Sequence, residues 1–299
     1  MTHQQDVREF LSSRRARITP EQAGLPAYGG GRRVSGLRRE EVALLAGMSV
    51  DYYVRLERGN LSGASDAVLK ALGRALKLDE SESAYLFDLA RKATGPAAKP
   101  RRTRAQQVRP SVQQILDAIV DLPAWVRNDR YDMLATNRMA RALHAPMLAD
   151  PRSPVNVARF VYLDPAARTF FPNWDRMADE NAAMLRQEAA RHPLDKGLTE
   201  LIGELSTRSD EFRQRWAAHD VRLHRSGTKR LHHPVVGDLE LNFDSLDVPS
   251  DPGLTMIVYT AAPGSTSADA LALLGSWAAE QERTTPATER DERTGRPTG

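Results

Sequence analysis

Cysteine is absent from this 299-residue chain. Its absence excludes disulfide frameworks, thiolate metal sites and cysteine nucleophiles together. No apolar run approaches the length of a membrane span, and the opening segment MTHQQDVREFLSSRRARI carries no apolar core of a secretory signal. The expectation is a cytoplasmic protein with no membrane partner. Catalytic signatures are missing as well: there is no GxSxG, GxGxxG or phosphate-loop pattern, and the GGG at 29–31 follows no strand. His219-Asp220 beside Glu240 can be drawn as an acid/base pair, but nothing defines a nucleophile. No catalytic residue, no cofactor and no enzyme is expected. The histidines do not make a metal site either. His219 and His224 are five apart, and His232 and His233 point to opposite faces of a strand, whereas zinc pairs on a helix need i, i+4 spacing.

What is present is unevenly distributed. The length exceeds what one core usually spans, so two domains are expected. Residues 1–109 hold 20 Lys and Arg against 12 Asp and Glu, a net of +8, while residues 110–299 hold 22 and 27, a net of −5. Such asymmetry suggests that the first part meets a polyanion and the second does not, the plainer alternative being a soluble basic domain.

Periodicity divides the chain in the same place. Helical patterns cover 6–17, two segments within 37–59, then 65–78 and 80–93, with the Pro/Gly loop 20–36 between the first two and no strand-like alternation. The predicted divisions are an all-helical domain over 1–94, a basic linker over 95–110, a second domain over 111–280, and a polar, disordered tail over 281–299. The linker reads equally as a solvated hinge or as a tether along phosphates. Beyond Pro110 come a helix, two short strands around Asn128-Asp129, a helix from Asn137, long helical patterns at 174–191 and 197–219, and three strand candidates separated by SGT, VGD and PSDPG. The clean alternation of Leu239, Leu241 and Phe243 marks the middle one. The fold class expected is multidomain: about five helices, then an α+β domain with an antiparallel sheet.

Residues 37–59, LRREEVALLAGMSVDYYVRLERG, interrupt one amphipathic helix and restart another at once. Gly47 suits a corner that needs positive φ, Ala43 is small enough for close approach, and Ser49 suits an N-cap. The pattern predicts a helix-turn-helix with Val42, Ala46, Met48, Tyr53 and Leu56 inward. Outward at the start of the second helix stand Val50, Asp51, Tyr52 and Arg55, the part of a recognition helix that reads bases in the major groove. Arg55 matches guanine O6 and N7; Asp51 either accepts from cytosine or favours the helix N-terminus and orients Arg55. Arg38, Arg39, Arg32, Arg33 and Arg58 surround them as phosphate contacts. A free carboxylate at Glu57 would repel DNA, so a bridge to an N-terminal arginine such as Arg14 is expected. An ordinary helical hairpin with a charged face is the competing reading.

This run resembles the helix-turn-helix of Xre-family regulators of actinobacterial type, especially the group carrying a C-terminal MmyB-like domain. The resemblance continues through PAWVRNDRYDMLATN, FVYLDPAARTFFPNWDRMA, LRQEAARHPLD, SDEFRQRWAAHDV, GTKRLHHPVVGDLEL and VYTAAPGS, covering about residues 5–275. It implies a transcriptional regulator that binds double-stranded DNA and carries a PAS-like sensory domain enclosing a small apolar, fatty-acid-like molecule. A homodimer and repression are the expected state and outcome. Candidate ligand contacts are the aromatics Trp125, Tyr131, Trp174 and Trp216, with His219 and Arg222 as polar groups for a carboxylate; for each ring, core packing is the plainer alternative. A second domain used only for dimerisation or protein contacts, or an enzyme domain fused to a DNA-binding module, remain the other readings.

Overall fold

The computed structural model describes residues 3–25, 34–94, 107–150, 152, 154–218 and 226–284. Two compact units emerge. One holds the described residues of 3–94 together with 179–218; the other holds 107–178 and 226–284.

Five helices open the first unit: α1 (His3–Arg17), α2 (Arg39–Ala46), α3 (Val50–Glu57), α4 (Asp66–Ala75) and α5 (Glu80–Thr94). Their apolar stripes meet in one core that includes Phe10, Leu37, Val42, Tyr53, Leu56, Leu72 and Tyr85, each 2% exposed or less. Phe10 and Tyr85 meet edge to face with centroids 5.0 Å apart, a favoured aromatic geometry. Ser65 caps α4, its hydroxyl accepting from the Val68 N–H at 3.4 Å. Gly59 has φ +102°, and a Cβ there would lie 2.4 Å from the Gln4 carbonyl oxygen. Only glycine lets α1 and the end of α3 come this close.

The second unit begins with α6 (Pro110–Ala118), strands β1 (Ala124–Asn128) and β2 (Met133–Thr136), and the short helices α7 (Arg138–Leu143), α8 (Ala145–Leu148), α9 (Val157–Leu163) and α10 (Ala166–Phe170). Helix α11 (Trp174–Arg191) starts in this unit and belongs to the first from Asp179 on, as do α12 (Lys196–Arg208) and α13 (Asp210–Ala217). Strands β3 (Ser226–His233), β4 (Gly237–Asp247), β5 (Leu254–Thr260) and helix α14 (Thr266–Thr284) complete the second unit. The sheet order is β2-β1-β5-β4-β3, antiparallel throughout. This is the α+β sheet domain expected beside an all-helical one.

Five sequence expectations shift in detail. Residues 179–218 lie within the segment expected as one sensory domain, yet they pack in the first unit, where Ala190 joins the core and Arg191 meets Asp88 at 3.3 Å. The pattern at 197–219 is two helices, because the Ser209 hydroxyl accepts from the Phe212 N–H at 3.1 Å and caps a new one. The SGT at 226–228 starts β3 rather than turning before it. Helix α14 runs to Thr284, past the expected start of the tail; 285–299 and the linker positions 95–106 fall outside the described residues. Arg109, counted with that linker, is fastened instead to Asp251 at 2.7 Å and to the Ser250 hydroxyl at 2.7 Å.

Candidate nucleic-acid interface and ligand face

Helix α2 ends at Gly47, which has φ 65° and ψ 37° and returns its N–H to carbonyls of the last turn. Ser49 then caps α3, its hydroxyl accepting from the Tyr52 N–H at 3.2 Å. With the start of α3 set this way, the 3.6-residue period sends Tyr53, Leu56 and Glu57 inward and leaves Val50, Asp51 and Arg55 exposed. The Arg55 guanidinium lies over the Tyr52 ring, 4.8 Å from its centroid. Such a contact holds a long cation in a narrower range of positions. No ion pair joins Asp51 to Arg55 among the described residues, so Tyr52, not Asp51, orients the arginine.

The flanking arginines differ from one another. Arg38 stands at the start of α2, 44% exposed, with its backbone N–H donating to the Glu41 carboxylate at 2.6 Å and its guanidinium 3.7 Å from Glu40. Arg58 is exposed at the end of α3. Arg39 is half exposed, and its Nε donates to Glu57. Arg32 and Arg33 lie outside the described residues.

Glu57 is the acid that had to be neutralised. Arg15, on α1, donates to it from Nε at 2.6 Å, and the Tyr53 hydroxyl lies 3.3 Å away. Burial raises the pKa of its carboxyl, but the hydrogen bonds and charges of Arg15 and Arg39 outweigh that and hold it below the usual range. Burial, followed by the Glu57 charge, pushes the Tyr53 hydroxyl well above the ordinary tyrosine range, so it stays protonated. The expected bridge exists with a different partner. Arg14 is only 3% exposed and pairs with Glu82 at 3.0 Å, because it points into the α1–α5 side of the core while Arg15 faces α3.

In the second unit, strand register builds an aromatic face. Trp125 pairs with Ile257, Tyr259 with Phe243, and Leu241 with Lys229. Side chains alternate along strands, so these residues share one side of the sheet. The opposite side of β1 and β5 is covered by Val112 and Leu116 of α6. On the aromatic face His144 lies 5.8 Å from Trp125, 5.7 Å from Tyr259 and 6.5 Å from Phe170, centroid to centroid. Its Nδ1 faces the Ala140 carbonyl at 3.0 Å. Burial, against that hydrogen bond and with help from the Lys229 and His233 charges, lowers its pKa to about 4, so the ring is neutral and Nε2 is left as an acceptor. Lys229 brings an ammonium to this side, 5.2 Å from the Phe243 centroid and 3.4 Å from Met177 Sδ. The buried Trp125 indole N–H is directed at the Tyr259 hydroxyl, an interaction that opposes the rise which burial gives that hydroxyl's pKa.

The other candidate rings have different surroundings. Trp174 donates from Nε1 to the Val161 carbonyl at 2.9 Å and carries Arg168 on its face at 3.8 Å, which is a packing role. Tyr131 sits at φ 65° in the turn between β1 and β2, held by Asn128 and covered by Arg127 at 4.1 Å. Trp216 belongs to the first unit, stacked on Phe212 with centroids 5.4 Å apart. His219 and Arg222 lie outside the described residues. The four aromatics are therefore not one cluster.

A helix-turn-helix family model matches residues 32–83, and the model of the MmyB-like transcription regulator ligand binding domain matches residues 108–274. This chain belongs to the MmyB-like transcription regulators. No curated protein matches it. As an MmyB-like regulator it combines a DNA-binding helix-turn-helix with a ligand-binding domain, and no helix among the described residues is long and apolar enough to cross a membrane. Sequence reading of this regulator missed His144, Tyr259 and Lys229. The alternation Ile257, Tyr259 in LTMIVYTA is a signal that finds Tyr259. No local pattern finds His144, whose place depends on how α7 meets the sheet.

Proposed function

We propose that this MmyB-like regulator is a homodimeric, sequence-specific repressor acting on DNA in the cytoplasm. The observation that carries this reading is the division of α3, where Tyr53, Leu56 and Glu57 are buried while Val50, Asp51 and Arg55 stand in water at its first turns. In this reading Ser49 to Tyr52 and Arg55 approach the base edges, and Arg38, Arg39 and Arg58, with Arg32 and Arg33, meet phosphates. Two-fold symmetry separates half-sites by a helical turn or a multiple of it.

The sheet domain receives a small apolar molecule with one polar end, a fatty-acid-like ligand in chemical class. The neutral ring of His144, set among Trp125, Phe170 and Tyr259, supports a ligand that is mostly apolar with one polar end. The Lys229 ammonium suits a carboxylate on the same side. Both matched families are regulator domains, which favours binding over catalysis. Ligand action requires unequal affinity for the DNA-bound and free conformations.

The test is the mass of the purified chain under native and denaturing conditions, with any released compound identified and titrated into a DNA-binding assay. A recovered acyl compound that changes DNA affinity supports sensing. A chain that is dimeric and empty, and whose DNA affinity no acyl compound alters, sinks it in favour of a dimerisation domain. A compound recovered chemically altered would indicate turnover.

A further inference from the structure

The first unit contains a cavity that the DNA-binding surface and the aromatic sheet face leave unused. We propose that it is a separate small-molecule site, one that takes a compact carboxylate with an aromatic or branched apolar body. The cavity measures about 200 Å³ and is walled by residues of α1, α5, α11, α12 and α13. That is below the roughly 300–1,000 Å³ usual for drug-sized ligands, so a long acyl chain does not fit, while a single ring with a short acid arm does.

Leu198, Ile202 and the Trp216 ring supply the apolar wall. Arg186 and Lys92 supply positive charge. Arg186 is only 3% exposed; its guanidinium stacks on Trp216 at 4.2 Å and donates to the Trp216 carbonyl. It is thus held in place before any ligand arrives, which lowers the entropy cost of binding. Lys92 makes no ion pair with a described residue. The Tyr85 hydroxyl, raised to about 12 chiefly by burial, stays a hydrogen-bond donor at neutral pH. Asp6 also lines the cavity and opposes an anion, as does no other acid on its wall; His192, also lining it, lies 3.9 Å from the Glu188 carboxylate. Arg186 and Lys92 against one carboxylate leave the balance positive. This site is independent of the sheet-face ligand, because Trp125, His144 and Tyr259 belong to the other unit.

Phenylacetate is the probe, titrated calorimetrically into the full chain, with phenethylamine as the same body of opposite charge. The expected result is binding of phenylacetate and not of phenethylamine. Lys92→Met weakens binding about tenfold, Asp6→Asn strengthens it, and Ile202→Trp, which fills the cavity, abolishes it. Each variant is first checked for native circular dichroism and DNA binding; Lys92→Met, at a partly exposed position, keeps the test open should Ile202→Trp not fold. Absence of binding at millimolar phenylacetate, equal binding of phenethylamine, or binding indifferent to Lys92→Met overturns the proposal. Failure here leaves DNA recognition and sheet-face sensing intact, since their readouts are separate.

Discussion

Glu57 of α3 accepts a hydrogen bond from Arg15 of α1 at 2.6 Å. The helix that presents Arg55 is therefore fastened to the first helix of the chain by a buried charge pair, with Arg39 on the second carboxylate oxygen. Three side chains from three helices meet at one acid, and their register fixes how far α3 projects.

Removing that acid leaves two arginines facing each other without compensation. Glu57→Ala is expected to cost about 3 kcal/mol, at the low end for a broken buried pair because Arg39 reaches water. Urea unfolding of the chain measures it. Acid has the same effect on the native protein. The folded pKa lies below the unfolded value, so the contribution is present above about pH 4.5 and fades as pH falls through the folded value. An unchanged midpoint in Glu57→Ala would show that the network is only decorative.

Base reading and phosphate anchoring are separable. Arg55→Ala should relax preference at one base position, losing on the order of 1–3 kcal/mol on the specific site only. Arg38→Ala should weaken specific and scrambled DNA alike and reduce the salt slope by about one. Binding curves on both DNAs at several salt concentrations decide it; equal losses for the two variants on both DNAs would remove α3 from the groove.

The two glycines that bracket α3 have different reasons to be glycine. At Gly47 nothing lies within 4 Å of a built Cβ, so Gly47→Ala bears only the left-handed backbone cost, about 1–2 kcal/mol. At Gly59 the new Cβ meets the Gln4 backbone at 2.4 Å, so Gly59→Ala must also push α1 away. Thermal unfolding should rank Gly59→Ala well below Gly47→Ala. The reverse order would mean that α1 yields easily.

His144 makes the sheet domain acid-sensitive. Its folded pKa of about 4 lies below the unfolded value of 6.5, so the unfolded chain binds the extra proton first. Stability is full above pH 6.5 and falls as pH drops towards 4, by at most on the order of 3 kcal/mol. His144→Phe should flatten that part of the pH–stability curve measured by denaturant melts. A curve with the same slope in the variant would assign the loss to other groups.

Much of this regulator is legible in its residues because the signals are local. Gly47 with Ser49 two residues later specifies a corner and a cap, and the apolar period of 37–59 specifies which side of each helix is inward. Leu239, Leu241 and Phe243 alternate in sequence and lie 2%, 0% and 3% exposed on one side of β4. Such choices depend on backbone sterics and neighbouring side chains, which a short stretch already contains. Partners chosen between distant segments were not legible. Arg14 and Arg15 are adjacent and chemically identical, yet a rotation of about 100° between neighbours on a helix sends one to Glu82 and the other to Glu57. Trp125 and Trp216 look alike in sequence but stand in separate units, because residues 179–218 group with the N-terminal helices, whose core Ala190 joins. Local sequence determined the elements, their caps and their inward faces; tertiary packing alone decided which faces meet, since that depends on the whole set of apolar surfaces competing for burial.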